Sequence, residues 1–460
     1  MPGRGRPEHV TVLGAGVAGL YAGLTLARSG VLVTVLEVED DVGGLAAGRL
    51  IDGNYYDLGV HHLHEFDRAI YEDVRDLMGE RMTSVPKAAK IRYGRGYRRY
   101  PLEFADLLLG IPPWTLLSAL TGMAFQQLRN KVAPFEAANA EEALVQLYGA
   151  PLYRHFFRDF TQRYWGLPPA RLSAAFVRRK MPRLSAVDVL RKALGALGLR
   201  EAEGAAVESA LAHETLHFSP TGSRELPMAL AAAIRDRGGT VLTASRVVAV
   251  ETVRNRVVAV RVARNGDEQR LACDACLSTI PLPDLVRALQ PPAPESVLEA
   301  AGRLRYRPLA VYGLLVRGER LLDAHYVYYR DRVFHRVAEP ANSGLVVRPP
   351  GHTVLLVELT CDLGDDRWHG GSDTRRRIVA DLEAEGVLRA DDVAQMHLLR
   401  TPYGYPVFEL GFEPLHAAIV AHLGVFGNLR STGRQGGFTY PNMHEAMRMG
   451  VGAAQELLQS

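Results

Sequence analysis

Cysteine is scarce in this chain of 460 residues, which contains only Cys273, Cys276 and Cys361. A low and odd number argues against a disulfide framework and fits a reducing compartment, so we expect a cytoplasmic protein. Cys273 and Cys276 form a CxxC pair, but no second pair and no paired histidines stand near them to complete a zinc site. We therefore expect no metal, and two small residues in one buried strand over 271–280.

Long apolar segments are also missing, because no run of about 18 residues is free of charge. The sequence thus predicts no transmembrane helix, and the N-terminus lacks the apolar core and cleavage site of a signal peptide. The most lipid-like segment, 104–125, is interrupted by Pro112 and Pro113. Because proline breaks helices, this segment favours a buried helical hairpin over a membrane anchor.

A strong excess of charge is absent too. The 54 Lys and Arg residues nearly balance the 51 Asp and Glu residues, and the formal net charge is +3. No Lys/Arg run stands out, so the composition gives no indication of a nucleic-acid partner. An oligomer is compatible with this composition. The hydrophobic content of 47% is ordinary for a globular protein of two or three domains.

The order of elements predicts an α/β fold. Strand, helix and strand patterns cover 8–14, 17–29 and 31–37, a long helical stretch follows, and strand signals return around a meander at 239–264. The chain ends in a glycine-rich loop and a last helix. We expect a discontinuous Rossmann-type domain with an inserted antiparallel-sheet substrate domain and a helical module. The expected divisions are 1–92, 215–295 and 413–460 for the first, 93–101 and 296–412 for the second, and 102–214 for the third.

A glycine motif links the first strand to the first helix. Gly14, Gly16 and Gly19 form G-x-G-x-x-G, in which the first glycine permits the tight turn. The second lets the backbone approach a pyrophosphate, and the third lets the helix pack closely. Glu37 ends the next strand, where a carboxylate can accept hydrogen bonds from a ribose diol. The segment 10–47 therefore predicts a site for the ADP half of a dinucleotide.

The residues after Glu37 resemble a known flavoprotein group. Val42-Gly43-Gly44 and then Tyr56-Asp57-Leu58-Gly59 follow in an order similar to that of amine oxidases, protoporphyrinogen oxidase and UDP-galactopyranose mutase. The resemblance implies FAD as the cofactor, with Gly43 and Gly44 at the cofactor. It also implies that Val247 lies beside the adenine and that Thr279 ends a strand of the FAD domain.

Four segments resemble the UDP-galactopyranose mutase branch of that group. In GVHHLHEFD, the resemblance places Gly59, His61 and His64 beside the isoalloxazine ring, and His62 is extra. Histidines also cluster for structural reasons, and the spacing of these histidines is by itself only weak evidence for a metal site. In FTQRYWG and the residues after it, the resemblance implies that Trp165 lies near a uridine and that Arg179 contacts a diphosphate. Phe160 stands where the family has a stacking tyrosine.

The other two segments lie nearer the C-terminus. Arg336, in VFHRVAEPAN, matches a second diphosphate-binding arginine, and Tyr405 matches a tyrosine that reaches the diphosphate. Two guanidinium groups suit a diphosphate because each binds phosphate oxygens through two parallel hydrogen bonds. In GRQGGFTYPNM the resemblance implies flavin contacts or phosphate contacts, and Asn442 stands where the family has aspartate. The residues concerned are Arg434, Gly436, Tyr440, Asn442 and Met443.

This resemblance implies a flavoenzyme that interconverts the pyranose and furanose rings of a nucleotide-linked sugar, with N5 of reduced FAD as nucleophile. His61, His64, Arg179, Arg336, Tyr405 and Tyr440 would then be the catalytic residues, and Phe160 and Trp165 would bind substrate. The FAD motifs support an oxidoreductase equally well, of the amine oxidase, sugar oxidase or desaturase type. A flavin-binding protein without catalysis is the third interpretation.

Overall fold

The computed structural model describes residues 6–93, 96–100, 113–180 and 214–459. A parallel sheet forms around the N-terminal strand HVTVL, which is buried on both faces from Val10 onward, as strands of parallel sheets usually are. The helices Val17–Arg28, Glu225–Arg235 and Met443–Leu458 pack against one another beside this sheet. The predicted strand–helix–strand start is confirmed. In spatial order the strands are Leu429–Ser431, Ala275–Ser278, His9–Leu13, Leu32–Leu36 and Thr240–Leu242.

A second sheet contains the hairpin of the predicted meander, although the first part of 239–264, Thr240–Leu242, belongs to the parallel sheet. Its hairpin turns at Arg254 and Asn255, which both adopt positive φ angles, of 47° and 62°. The expectation of one strand over 271–280 is wrong, because the chain leaves the meander at Ala272 and enters the parallel sheet at Ala275. Between them, the Asp274 carboxylate accepts the His9 amide at 2.9 Å. In order, the meander strands are Asp267–Ala272, Arg256–Arg264, Ser245–Val253 and Leu289–Gln290.

The third sheet, here the long sheet, is antiparallel except where Tyr326–Tyr328 runs parallel to Ala89–Tyr93. Its central strands are nearly all buried, which explains their continuous apolar sequences. In order, its strands are Val393–Val407, Arg305–Arg317, His352–Thr360, Arg336–Ala338, Tyr326–Tyr328, Ala89–Tyr93 and Gly96–Arg99. Two small strand pairs complete the set: Gly48–Ile51 with Asn54–Asp57, and Thr83–Pro86 with Thr215–Phe218.

The described part of the helical module holds Pro113–Val132, Ala140–Leu152, a π-helical turn at Tyr153–Phe157, Arg158–Trp165 and Ala174–Lys180. The first of these helices exposes Trp114, Leu117 and Phe125, so the expectation of a buried hairpin is wrong for the residues from 113 onward. Residues 101–112 and 181–213 lie outside the described part. No described helix combines the length and the apolar content that crossing a bilayer would need. The other helices are Arg68–Met78, Leu282–Ala288, Glu295–Arg303, Asp366–His369, Ser372–Ala384, Phe412–Leu423 and Gly433–Gly436.

The α/β fold with inserted modules is confirmed, while the residue boundaries of the domains stay a proposal. The predicted boundary after residue 92 cuts the strand Ala89–Tyr93, which pairs inside the long sheet. We therefore propose the boundary before Ala89. The division otherwise follows the sheets, since the parallel sheet draws its strands from the N-terminal, middle and C-terminal parts of the chain.

Candidate active site

The glycine loop after the first strand lets neighbouring parts of the backbone approach one another closely. Gly14 has φ +96°, and a Cβ there would lie 2.6 Å from Thr279 Oγ1. A Cβ on Gly19 would overlap the Gly14 carbonyl oxygen. A Cβ on Gly16, in contrast, would meet nothing nearer than 4.0 Å, so the surface above it is open. Gly16 is also the N-cap of the first helix and offers no capping side chain, so the start of that helix faces the open side.

Glu37 lies directly below this loop. Its buried carboxylate accepts the Ala15 amide at 2.8 Å and the Glu39 amide at 3.1 Å. Burial raises the pKa of Glu37, while these amides oppose that shift. Each oxygen keeps a further lone pair that can accept from a ribose hydroxyl. The Ser245 amide donates to the Glu37 carbonyl at 2.7 Å, and the half-buried Val247 follows two residues after Ser245 on the same strand.

Two further glycine segments approach the same loop. Gly43 and Gly44 have φ angles of +127° and +57°, and a Cβ on Gly44 would lie 3.2 Å from the Gly16 Cα. From the other end of the chain, a Cβ on Gly433 would lie 3.0 Å from Ala18, and one on Gly436 would lie 3.0 Å from the Ser278 carbonyl. Side chains at these positions would collide with the neighbouring segments and prevent their close approach. The residues present therefore fit an extended dinucleotide that lies against bare backbone.

The closing segment also positions an arginine. Arg434 donates to the Pro441 carbonyl at 2.6 Å, and its guanidinium carbon lies 4.8 Å from the centre of the Tyr440 ring. Asn442 and Glu445 then form a capping box at the start of the helix that begins with Met443. This cap fixes where the helix begins and so fixes the position of Arg434 and Tyr440 before it.

A buried ion pair lies beside Gly59. Arg336 donates from Nε and Nη2 to the two oxygens of Glu358, at 2.8 and 2.6 Å. Glu358 is completely buried, and the Arg336 charge lowers its pKa to about 2 against the cost of burial. The third nitrogen, Nη1, lies 3.3 Å from the Tyr328 hydroxyl. Glu358 also accepts the Val60 amide at 3.3 Å, which joins the ion pair to the loop before His61.

His61 faces both arginines. Its Nδ1 lies 3.2 Å from the Gly59 carbonyl. Burial, with the positive charge of Arg434 and then of Arg336, lowers the pKa of His61 to about 4, although Glu358 opposes the shift. His61 is therefore neutral near pH 7, with one ring nitrogen as a hydrogen-bond donor and the other as an acceptor.

Aromatic side chains lie beside these charged groups, since Tyr405 and Tyr440 both contact Arg434. We call the site formed by His61, the two arginines and these rings the cleft. The Tyr405 and Tyr440 ring centres are 5.2 Å apart at 88°, and Tyr164 places its hydroxyl 3.4 Å from that of Tyr440. Trp165 is buried behind them, 6.2 Å from Tyr405. Burial raises the pKa of Tyr405 and of Tyr164, so both hydroxyls stay protonated. The predicted residues His61, Trp165, Arg336, Tyr405, Arg434 and Tyr440 thus meet in one cleft.

Three predicted residues stand apart from this cleft. His64 bonds to Glu214 and stacks on Phe66, and its ring lies 5.8 Å from His444. A cavity of about 470 Å³ opens there and is lined by His444 and Tyr440, so His64 lies at the rim of a space that adjoins the cleft. Phe160 stacks on Tyr164 at 6.0 Å and reaches the cleft through that ring. The Arg179 side chain lies outside the described part, although its backbone belongs to Ala174–Lys180.

The sequence reasoning missed Glu358, Tyr164 and Tyr328. Glu358 carried a usable signal, because it is the only acid in the apolar strand HTVLLVELT. A charge in such a run needs a buried partner. The tyrosines carried no signal, since tyrosine is common in strands and helices. Among the described residues, no group of three or more His, Cys, Asp or Glu side chains is placed to hold a metal ion.

Comparison with known families decides the class of this site. The model of the flavin-containing amine oxidoreductase family matches residues 17–384. The chain belongs to this family. The match begins directly after Gly16 and includes the Gly59 loop, Arg336 and Glu358. Membership of this family implies a flavin cofactor. The resemblance found in the sequence is confirmed at this level.

Curated relatives are similar over parts of the chain. A phytoene dehydrogenase of Streptomyces griseus is 31% identical over 344 residues, which are 66% of this chain and 58% of that protein. An L-amino-acid oxidase of Notechis scutatus scutatus is 44% identical over 71 residues, which are 15% of this chain and 14% of that protein. The chain therefore matches about three-fifths of the first relative and a short segment of the second.

Solved structures show the same fold over almost the whole chain. A reduced UDP-galactopyranose mutase superposes with a TM-score of 0.82 at 19% identity, covering 98% of this chain and 94% of that one. A putative protoporphyrinogen oxidase from Exiguobacterium sp. 255-15 gives 0.70 at 15% identity, covering 98% and 99%. At these identities the likeness concerns the fold.

Proposed function

We propose that this chain binds FAD and interconverts the pyranose and furanose rings of a nucleotide-linked sugar. One observation carries the proposal. Four residues from three distant segments, expected from sequence to serve a diphosphate and a flavin, converge on one cleft: Arg336, Tyr405, Arg434 and Tyr440. Bound FAD in its reduced form would supply the nucleophile, so the protein itself needs no nucleophilic side chain.

The side chains of the cleft would hold and release an anionic leaving group. Arg336 is balanced by Glu358, whereas none of the ion pairs among the described residues involves Arg434. The cleft therefore has an excess of positive charge next to the protonated hydroxyls of Tyr405 and Tyr164. Fixed donors of this kind stabilise negative charge as it develops on a diphosphate. Neutral His61 would orient the reacting groups without adding charge.

Turnover under defined redox conditions tests the proposal. The purified protein, loaded with FAD, is incubated anaerobically with UDP- and dTDP-linked hexoses, with and without dithionite, and the products are separated by chromatography. We expect furanose and pyranose forms to interconvert only with the reduced enzyme. If no nucleotide-sugar turns over or perturbs the spectrum of the reduced flavin, the proposal is wrong.

A matched pair of variants connects the activity to the cleft. Tyr440→Phe removes a cleft hydroxyl, whereas Tyr403→Phe removes one that donates to Asp284 at 2.7 Å, outside the cleft. We expect only Tyr440→Phe to weaken nucleotide-sugar binding, by roughly fivefold for one hydrogen bond. Arg179→Ala tests the second clamp and should cost about 1.5–3 kcal/mol of binding if Arg179 makes a charge-assisted contact. Unchanged affinity in Arg179→Ala would remove that residue from the site.

A net oxidoreductase is the second candidate, and the geometry of Arg336 favours it. Two of its five N–H donors are already bound to Glu358, which leaves fewer donors for a substrate phosphate. Phe160 also lacks the hydroxyl that the mutases have at this position. The similar phytoene dehydrogenase is by name an oxidoreductase. Anaerobic bleaching of the oxidised flavin by an amine, a sugar alcohol or a polyene, without any nucleotide-sugar effect, would select this candidate.

A further inference from the structure

The helix Pro113–Val132 turns a row of large apolar side chains to the solvent. Its members, which we call the outward stripe, are spaced three, four or seven to eight residues apart and so share one helix face. At about 1.5 Å per residue the stripe is about 27 Å long. Its exposed fractions are Trp114 74%, Leu117 64%, Phe125 67%, Leu128 62% and Val132 78%.

The opposite face of this helix is the one that packs, and it carries polar groups. Gln126 is 5% exposed and donates to the Asn130 side chain at 2.9 Å. Asn130 in turn donates to the Gln146 carbonyl at 2.9 Å, in the neighbouring helix Ala140–Leu152. The usual arrangement, apolar inside and polar outside, is thus reversed along half of the helix. These internal bonds hold the helix in this rotation, so the outward stripe is a fixed feature of the surface.

The charges of the helix indicate what covers the stripe. PWTLLSALTGMAFQQLRNKV contains no acid, and its two charges are Arg129 and Lys131, both in the last turn. Trp114 lies at the other end. An apolar row with an indole at one end and flexible cations at the other is complementary to an anionic lipid surface. We propose that this helix docks the enzyme on an anionic membrane surface, lying in the plane of the headgroups without crossing the bilayer.

The position of the helix gives the docking a consequence for the cleft. The chain continues from Ala140–Leu152 through the π-helical turn Tyr153–Phe157 into Arg158–Trp165, which carries Tyr164 and Trp165. The docked face is therefore one helix away from an element that enters the active site. Docking would hold the helical module at the lipid surface whether the enzyme works as a mutase or as an oxidoreductase, so this inference stands apart from the proposed function.

Vesicle flotation tests the inference with the FAD-loaded full chain. The probes are vesicles of phosphatidylcholine alone and of an equal mixture of phosphatidylcholine and phosphatidylglycerol. We expect the protein to float with the mixed vesicles and less with the neutral ones. The stripe variant Leu117→Glu/Phe125→Glu/Leu128→Glu should stay at the bottom. Arg129→Gln and Lys131→Gln should each weaken binding to mixed vesicles by roughly fivefold.

A matched control places the same charges elsewhere. Val346, Leu363 and Val425 are 58%, 52% and 50% exposed, and the variant with glutamate at all three should float like the parent protein. Flavin absorbance and the melting temperature confirm that each variant is folded. The inference is overturned if the parent protein floats with neither kind of vesicle or if the control variant loses binding as well. It is also overturned if sedimentation shows a self-associated parent, a monomeric stripe variant and no vesicle binding, because a second copy would then cover the stripe.

Discussion

At the scale of single residues, Glu358 organises the cleft. Its two oxygens bind the Arg336 guanidinium, and one of them also accepts the Val60 amide. A Cβ on Gly59 would lie 3.2 Å from the same carboxylate. Only a glycine with φ +107° lets the loop approach the acid so closely. The carboxylate therefore determines both where Arg336 points and how His61 is presented.

Removing the charge of Glu358 should be costly. Glu358→Gln leaves Arg336 without an anion in a buried place, and we expect a loss of about 3–5 kcal/mol in the free energy of unfolding. Urea denaturation measures this loss. The double variant Arg336→Met/Glu358→Gln is the control and should recover part of the stability, because no unpaired charge remains. A loss under about 1 kcal/mol in the single variant would contradict the assigned role.

Substitutions at the glycines of the loop distinguish effects on folding from effects on cofactor binding. In Gly19→Ala the new Cβ overlaps the Gly14 backbone, so we expect a poorly folded protein. In Gly16→Ala the Cβ enters open space that the pyrophosphate would occupy, so the fold should persist while FAD affinity falls by roughly tenfold. Circular dichroism and flavin fluorescence measure the two effects. Gly452→Ala, with nothing within 4 Å, is the control, and wild-type FAD affinity in Gly16→Ala would contradict the assignment.

At the scale of elements, the last helix depends on its cap. Asn442 and Glu445 form the capping box, so Asn442→Ala should lower stability by about 1 kcal/mol. Asn442→Asp should match the parent or exceed it slightly, because a carboxylate interacts favourably with a helix N-terminus. Thermal denaturation compares the three proteins. Equal melting temperatures for the alanine and aspartate variants would show that the cap carries little stability.

Elements with local causes are predictable from the sequence. The first strand, the glycine loop and the helix after it depend on apolar periodicity and on glycine backbone freedom, both visible in neighbouring residues. The turn at Arg254 and Asn255 is likewise local. The division of 271–280 between two sheets depends on distant partners, since Asp274 binds the amide of His9. Periodicity cannot supply that information.

The outward stripe illustrates the same limit. The pattern of 113–132 predicts a helix, but which face turns inward is decided by the bonds between Gln126, Asn130 and Gln146. Arg336 was found from a resemblance, yet its bidentate partner, 22 residues away, follows from strand pairing in the long sheet. Residue types in the site were thus predictable, whereas their pairing was not.

At the scale of the whole molecule, Asp57 should give stability a distinctive dependence on pH. Its carboxylate is buried, accepts the Ser223 amide at 3.2 Å, and has its pKa raised by burial to about 6. The unfolded value is about 3.9, so the native protein binds more protons between these values. Stability from this group is therefore greatest at low pH and is lost as pH rises through about 6.

Asp57→Asn isolates this contribution. The difference between parent and variant, followed by urea denaturation from pH 4 to pH 8 in small steps, should change by about 2–3 kcal/mol and level off above pH 7. Parallel pH profiles for the two proteins would show that Asp57 keeps its ordinary pKa. Ser223→Ala preserves the amide donor but removes a hydroxyl that opposes the rise in the Asp57 pKa, so the profile should move to higher pH.

The bond between Glu358 and Val60 has a consequence for how the molecule opens. Glu358 belongs to a central strand of the long sheet, whereas Val60 belongs to the loop that follows the cofactor glycines. The Gly59–Val60 loop is therefore tied to the long sheet beside the Arg336–Glu358 ion pair. A motion that separated this loop from the sheet would expose a buried ion pair, so we expect a substrate to enter through movements of loops and side chains at the rim. Hydrogen exchange should accordingly be slow at Val60 and fast at the rim around Phe66.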